Sequence, residues 1–217
     1  MTNKPQINEG HHDLFEAEGT VGNTKQFVQA LHQKALNPAL FWSSHFKLTK
    51  YKKLIDIGGG SGIHAIAAGL HNPLLKGTIC DRYPVLKYAK LYVKSFKLTT
   101  RITTKNFDMW KDLLPQGDVY FLGDILHDWP YEKCLFLLKK CYKQLPKDGI
   151  ILIHEMLFNN NKTGPFLTSA YNIKMTMWTE GQQFSKSELK HLLTKACFRK
   201  IKTMPTLGNW TLTVGYK

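Results

Sequence analysis

The stretch Leu54-Ile55-Asp56-Ile57-Gly58-Gly59-Gly60-Ser61-Gly62 joins a short apolar run to a glycine turn, and a helical pattern over 63–70 follows at once. Glycine lets a backbone come close to a ligand, and a helix N-terminus turns free N–H groups toward it. Asp81 stands about 20 residues on, at the tip of the next apolar run, where a carboxylate can take both hydroxyls of a ribose. Together these features point to a cofactor that contains a nucleoside. Gly60-x-Gly62-x-x-Ala65 also satisfies the loose dinucleotide pattern, so spacing alone leaves a nicotinamide cofactor open. Asp56 favours S-adenosylmethionine. A carboxylate at the end of the first strand suits the amine of the methionine half, and a pyrophosphate has no use for one.

A second group lies further along. Leu126-His127-Asp128-Trp129-Pro130 follows directly on the apolar run Val119-Tyr120-Phe121-Leu122, and Glu155 comes just past Ile150-Ile151-Leu152-Ile153. Histidine titrates near neutrality and suits the removal of a proton from a hydroxyl. A lone histidine at such a place is more often a capping or core group; the acid ending the next strand is what favours catalysis for His127. His64 and His154 are read as structural, and Trp129 as packing.

These residues need a scaffold. Apolar runs at 53–57, 77–81, 101–106, 119–122 and 150–153 alternate with helical patterns at 62–71, 84–96 and 131–145. Helices near 165–179 and 185–196 follow, and two β runs, 198–204 and 209–216, close the chain. Such alternation gives an α/β fold with a doubly wound, mostly parallel sheet, and the closing pair supplies an antiparallel edge strand. Ligands bind beyond the carboxyl ends of the strands in these sheets. Gly58, Asp81, Asp108, Asp124, His127 and Glu155 all fall at or just past expected strand ends, so one crevice gathers them. Residues 1–23 read as a polar leader, 24–49 carry helical patterns around Phe27, Leu31, Leu40 and Phe41, and the domain boundary is placed at 49/50.

Composition narrows the class. The 217 residues suffice for one α/β domain with a sizeable core. No apolar run approaches the ~18 residues of a membrane span, and the N-terminus has no apolar signal core, so no membrane partner and a cytoplasmic location are expected. Cys80, Cys134, Cys141 and Cys197 form no Cys-x-x-Cys pair and no metal spacing; they read as buried reduced thiols, with Cys134 and Cys141 on one helix face. The formal net charge is +14, yet Lys87, Lys90, Lys94 and Lys97, and again Lys139, Lys140, Lys143 and Lys147, recur at helical spacing. They read as solvated helix faces, and without an RNA-binding motif no nucleic-acid partner is expected.

From about residue 25 to the end, the chain resembles the catalytic domain of class I S-adenosylmethionine-dependent O-methyltransferases of the acetylserotonin, plant caffeate and bacterial natural-product type. Besides 54–62 and Asp81, the matching pieces are Asp108-Met109-Trp110-Lys111-Asp112, Leu126 to Pro130, His154-Glu155-Met156-Leu157, Thr163-Gly164-Pro165 and Gly181-x-Gln183-Phe184-Ser185. His-Asp-Trp is the specific piece; most methyltransferases share the glycine turn. The resemblance implies methyl transfer from S-adenosylmethionine to a hydroxyl of a small, aromatic acceptor, without a metal. His127 would be the general base, oriented by Glu155 and assisted by Asp128. Gly58, Gly60, Asp81, Asp108, Met109 and Asp124 would meet the cofactor, Asp108 and Met109 bracketing the adenine. Asn172, Met175 and Gln183 would meet the acceptor, in and after the aromatic and sulfur-rich segment 166–178.

Three departures from the family follow. Relatives carry an N-terminal helical dimerisation domain, whereas only residues 1–52 precede the first strand here. That domain is expected to be largely absent, so a homodimer or a partner chain would have to supply the missing pocket wall. Gln183 stands where plant enzymes have a carboxylate, and Asp124 where relatives often carry Lys or Arg near the adenine. The competing functions are a truncated, non-catalytic cofactor-binding protein and, more remotely, an RNA methyltransferase.

Overall fold

The computed structural model describes residues 21–217; all but the end of the expected leader lies outside them. A single long helix, α1 (Val21–His45), runs on through Pro38 and so joins the two helical patterns expected before the first strand. Strands and helices then alternate: β1 (Lys53–Ile57), α2 (Ile63–His71), β2 (Lys76–Asp81), α3 (Tyr83–Ser95), β3 (Ile102–Asn106) and β4 (Val119–Gly123). A 3-10 turn (Leu126–Asp128) leads into α4 (Tyr131–Gln144), β5 (Ile150–Met156), α5 (Phe166–Trp178), α6 (Lys186–Lys195), β6 (Arg199–Pro205) and β7 (Trp210–Tyr216).

The seven strands form one sheet in the order β3-β2-β1-β4-β5-β7-β6. The first five are parallel, and β7 lies antiparallel between β5 and β6. Burial explains the order. β4 and β5 are almost wholly buried, and Val119–Leu122 and Ile150–Ile153 read as apolar runs, as central parallel strands covered on both faces do. β3 and β6 show alternating or exposed positions and take the edges. Successive residues of a strand serve opposite faces. Leu54 and Phe121 therefore join a core with Ile66 and Ile79, while Ile55 and Tyr120 join one with Leu137 and Leu192. The first core also contains Ala39 and Trp42 of α1, so the helix and the sheet share apolar packing across the 49/50 boundary expected from the sequence. Strand order reverses between β1 and β4, which opens a crevice at their carboxyl ends.

Two local expectations need correction. Cys134 and Cys141 are buried on the inner face of α4, and Cys80 is buried in β2, but Cys197 is exposed. It occupies a left-handed turn between α6 and β6, with φ 74, flanked by the buried Ala196 and Phe198, so its side chain points outward. Lys87, Lys90, Lys94 and Lys97 are solvated as expected, whereas Lys140 is half-buried and its ammonium donates to the Met109 carbonyl at 2.9 Å. Among the described residues, no helix is long and apolar enough to cross a membrane.

Candidate active site

The glycine turn between β1 and α2 holds three residues in the left-handed region: Gly58 (φ 65), Gly60 (φ 57) and Gly62 (φ 77). A Cβ on Gly58 would sit 2.3 Å from Ile125 Cδ1, and one on Gly62 would sit 2.2 Å from Ile79 Cδ1. A side chain at either would have to displace the tip of that isoleucine and would sit on a strained backbone. Beside Gly60 nothing lies within 4 Å, so the turn opens there onto a cradle. Asp81, at the tip of β2, accepts the Gly60 N–H and the Arg82 N–H, each at 2.7 Å. The carboxylate expected to take a ribose is therefore bolted to the glycine expected to approach it. Asp108 accepts the Trp110 N–H at 2.9 Å and faces the Arg82 guanidinium at 3.2 Å. Met109 Cε lies 3.5 Å from where a Cβ on Gly58 would stand, so the expected adenine bracket adjoins the turn.

Asp56 is 1% exposed, and its Oδ2 accepts the Ala65 N–H at 3.3 Å. Burial pushes its carboxyl up to about 7. It ties β1 to the first turn of α2.

His127 sits in the 3-10 turn after β4 and is 2% exposed. Glu155 orients it indirectly. Its Oε1 accepts the backbone N–H groups of Leu126 at 2.8 Å and His127 at 3.3 Å, so it fixes the turn and leaves the ring to other groups. Gln183 Nε2 lies 3.1 Å from His127 Nδ1, Asp124 Oδ1 lies 3.8 Å from the same nitrogen, and Asp128 Oδ1 lies 3.5 Å from Nε2. Gln183 Oε1 is buried and has no partner. Turning the amide over, an assignment made from hydrogen-bond networks, lets Oε1 accept from Nδ1–H and leaves Nε2 free to take a proton. Burial pushes His127 down to about 4, so the ring is neutral at pH 7; burial likewise pushes Asp128 up to about 7 and Glu155 up to about 8.

Asp124 ends β4 in a left-handed conformation, φ 55, which short polar side chains tolerate better than most. Its Oδ2 accepts from Lys34 Nζ at 2.8 Å. Lys34 also donates to the Tyr171 hydroxyl and lies over the rings of Tyr171 and Trp210, 4.2 and 5.1 Å from their centroids. The side-chain contacts of Asp124 are thus to Lys34 and His127. Lys34 escaped sequence reasoning entirely: it lies on the helix before the first strand, and no spacing links it to His127.

On the acceptor side, Gln183 is fully buried, with its Nε2 3.1 Å from His127 Nδ1, the bond to this ring that a glutamine here can still make. Asn172 Oδ1 accepts the Gln183 N–H at 2.8 Å, so it joins α5 to the segment that carries the glutamine. Met175 is buried and the Tyr171 ring lies 5.6 Å from His127, but Phe166, Met177 and Trp178 point outward. Gly181, expected only as part of a motif, presses on the His127 turn: a Cβ there would meet the His127 carbonyl oxygen at 2.2 Å.

Comparison with known proteins fits this geometry. Residues 9–199 match the model of the O-methyltransferase domain family. Acetylserotonin O-methyltransferase of Macaca mulatta is 34% identical over 195 residues, 89% of this chain and 56% of that protein. The 3-hydroxy-5-methyl-1-naphthoate 3-O-methyltransferase of Streptomyces sahachiroi is 31% identical over 158 residues, 72% of this chain and 46% of that one. The crystal structure of human N-acetylserotonin methyltransferase in complex with SAM superposes with a TM-score of 0.87 at 30% identity, covering 96% of this chain and 59% of its own. The chain spans about half the length of the curated relatives it matches.

Proposed function

The chain belongs to the O-methyltransferase family, and from that premise we propose that it moves a methyl group from S-adenosylmethionine to a hydroxyl of a small, planar aromatic molecule. The observation that carries this reading is the meeting, at the carboxyl ends of β1, β2 and β4, of an open glycine turn with its carboxylate and a buried, neutral histidine. The residues present fit the cofactor: Gly60 faces open space, Asp81 is held against the turn, and Met109 closes on Gly58. Gly58, Gly60, Asp81, Asp108 and Met109 would hold it, and when bound it supplies an electrophilic methyl on a sulfonium.

The protein's own task is then to align the acceptor oxygen and remove one proton. A phenol has a pKa near 10, and His127 sits at about 4. Proton transfer ahead of methyl attack is uphill by about 6 units, or roughly 8 kcal/mol. The proton therefore leaves as the new C–O bond forms and the oxygen becomes acidic, with positioning supplying much of the remaining acceleration. Asn172 and Met175 lie on the acceptor side. The wall they leave open would be completed by a second copy or a partner chain.

Calorimetric titration of the purified chain with S-adenosylmethionine and S-adenosylhomocysteine, followed by a screen of phenols, tests the reading. Micromolar binding and methylation of a phenol that stops in His127→Ala are expected. A folded chain that binds neither compound would overturn it in favour of a non-catalytic relative.

A further inference from the structure

We propose that Asp124, oriented by Lys34, is the electrostatic partner of His127: a positioning residue that stabilises the imidazolium as it forms, in the place of a carboxylate directly bonded to the ring. The inference rests on the methyltransferase reading for its purpose, but its geometry stands alone. A neutral base that gains a proton in a buried site must find negative charge nearby. The other groups around His127 supply it poorly. Gln183 is uncharged, Glu155 bonds the backbone, and burial pushes both Glu155 and Asp128, which lies 3.5 Å from Nε2, toward the protonated form.

Asp124 is built for the task. Its Oδ2 is committed to Lys34 at 2.8 Å, which fixes the carboxylate plane. Its Oδ1 is buried, has no hydrogen-bond partner among the described residues, and lies 3.8 Å from His127 Nδ1. An unpartnered buried carboxylate oxygen is costly unless something else draws on it. Asp124 holds this place on a left-handed backbone, φ 55. Lys34 in turn is anchored by the Tyr171 hydroxyl and by two aromatic faces, so α1, β4 and α5 meet at one charge. The ionisable groups facing His127 are Asp124, Asp128 beside Nε2, Glu155 behind the turn, Lys34 on α1, and Tyr171 and Lys174 on α5. Asp124 favours the imidazolium, while Lys34 and Lys174 oppose it.

The signs give the test. In the full chain, the titration of His127 is followed by NMR of the labelled imidazole, and the pH profile of methyl transfer is measured beside it. Asp124→Asn should move the His127 midpoint, and the acid limb of kcat/KM, to lower pH by about one unit, and should cut kcat by about 10- to 100-fold with little change in acceptor KM. Lys34→Met should move the midpoint to higher pH, and Lys34→Arg should restore it. Midpoints unmoved in folded variants would overturn the proposal and leave the group as a structural latch. The NMR titration needs no turnover, so an inactive parent chain would tell against the methyltransferase reading while this measurement still decides the role of Asp124.

Discussion

Two carboxylates at the glycine turn illustrate how residue chemistry depends on place. Asp56 and Asp81 both end apolar strands and both accept backbone N–H groups near the turn, yet Asp56 lies beneath it and Asp81 borders the cradle. Replacing Asp81 with Ala should weaken S-adenosylmethionine binding by roughly 1.5–3 kcal/mol, the worth of hydrogen bonds to a charged group, and calorimetry on the variant would read it directly. Unchanged affinity would remove Asp81 from the cofactor site. His64 carries a second residue-scale consequence. It is buried, accepts from Trp42 Nε1 at 3.0 Å, and is pushed down to about 4 by burial. Folding favours its neutral form, so its contribution is complete above the unfolded-state value near 6.5 and is lost as pH falls from there toward 4. Across that span the loss amounts to about 3 kcal/mol. In His64→Gln, urea-unfolding stability should decline less steeply between pH 6.5 and 4 than in the parent; parallel declines would show that His64 does not titrate on unfolding.

At the scale of elements, the turn that carries His127 is short and cannot hold itself. A 3-10 turn of three residues, Leu126–Asp128, depends on its neighbours: Glu155 on β5 takes two of its N–H groups, and Gly181 backs its carbonyl side. A methyl group on Gly181 would overlap the His127 carbonyl oxygen and the Trp129 nitrogen, both of them backbone atoms that cannot rotate away. Gly181→Ala is expected to cost about 1–3 kcal/mol of stability, as overpacking does. It should also slow methyl transfer at least tenfold while leaving cofactor affinity intact, because the glycine turn is a separate element. Equal loss of cofactor affinity and turnover would mean that the two turns move as one.

The whole molecule is finished on one side and open on another. The sheet is covered on both faces, but α5 presents Phe166 (82% exposed), Leu167, Ile173, Met177 and Trp178 to solvent. Apolar residues gathered on one helix in this way mark an interaction surface. Asn172 and Met175 lie on the same helix, so a second copy seated on it would border the His127 site. Self-association that grows with concentration is expected in light scattering, and it should weaken in Met177→Lys combined with Trp178→Lys. A parent chain that stays monomeric at high concentration would show that this face does not recruit a second copy.

The sequence by itself determined the alternation of strands and helices, the parallel sheet with its antiparallel closing pair, and the gathering of Gly58, Asp81, Asp108, Asp124, His127 and Glu155 at strand ends. Those features are written in hydrophobic period and turn chemistry, which act over neighbouring residues. Only the tertiary structure decided what the polar atoms do. It put Asp56 Oδ2 on the Ala65 N–H, Glu155 on the backbone of the His127 turn, and Asp124 on a lysine ninety positions earlier in the chain. The reason is physical. Burial of apolar area is nondirectional and survives small errors of placement, whereas a buried hydrogen bond or ion pair depends on tenths of an ångström between groups brought together by packing alone.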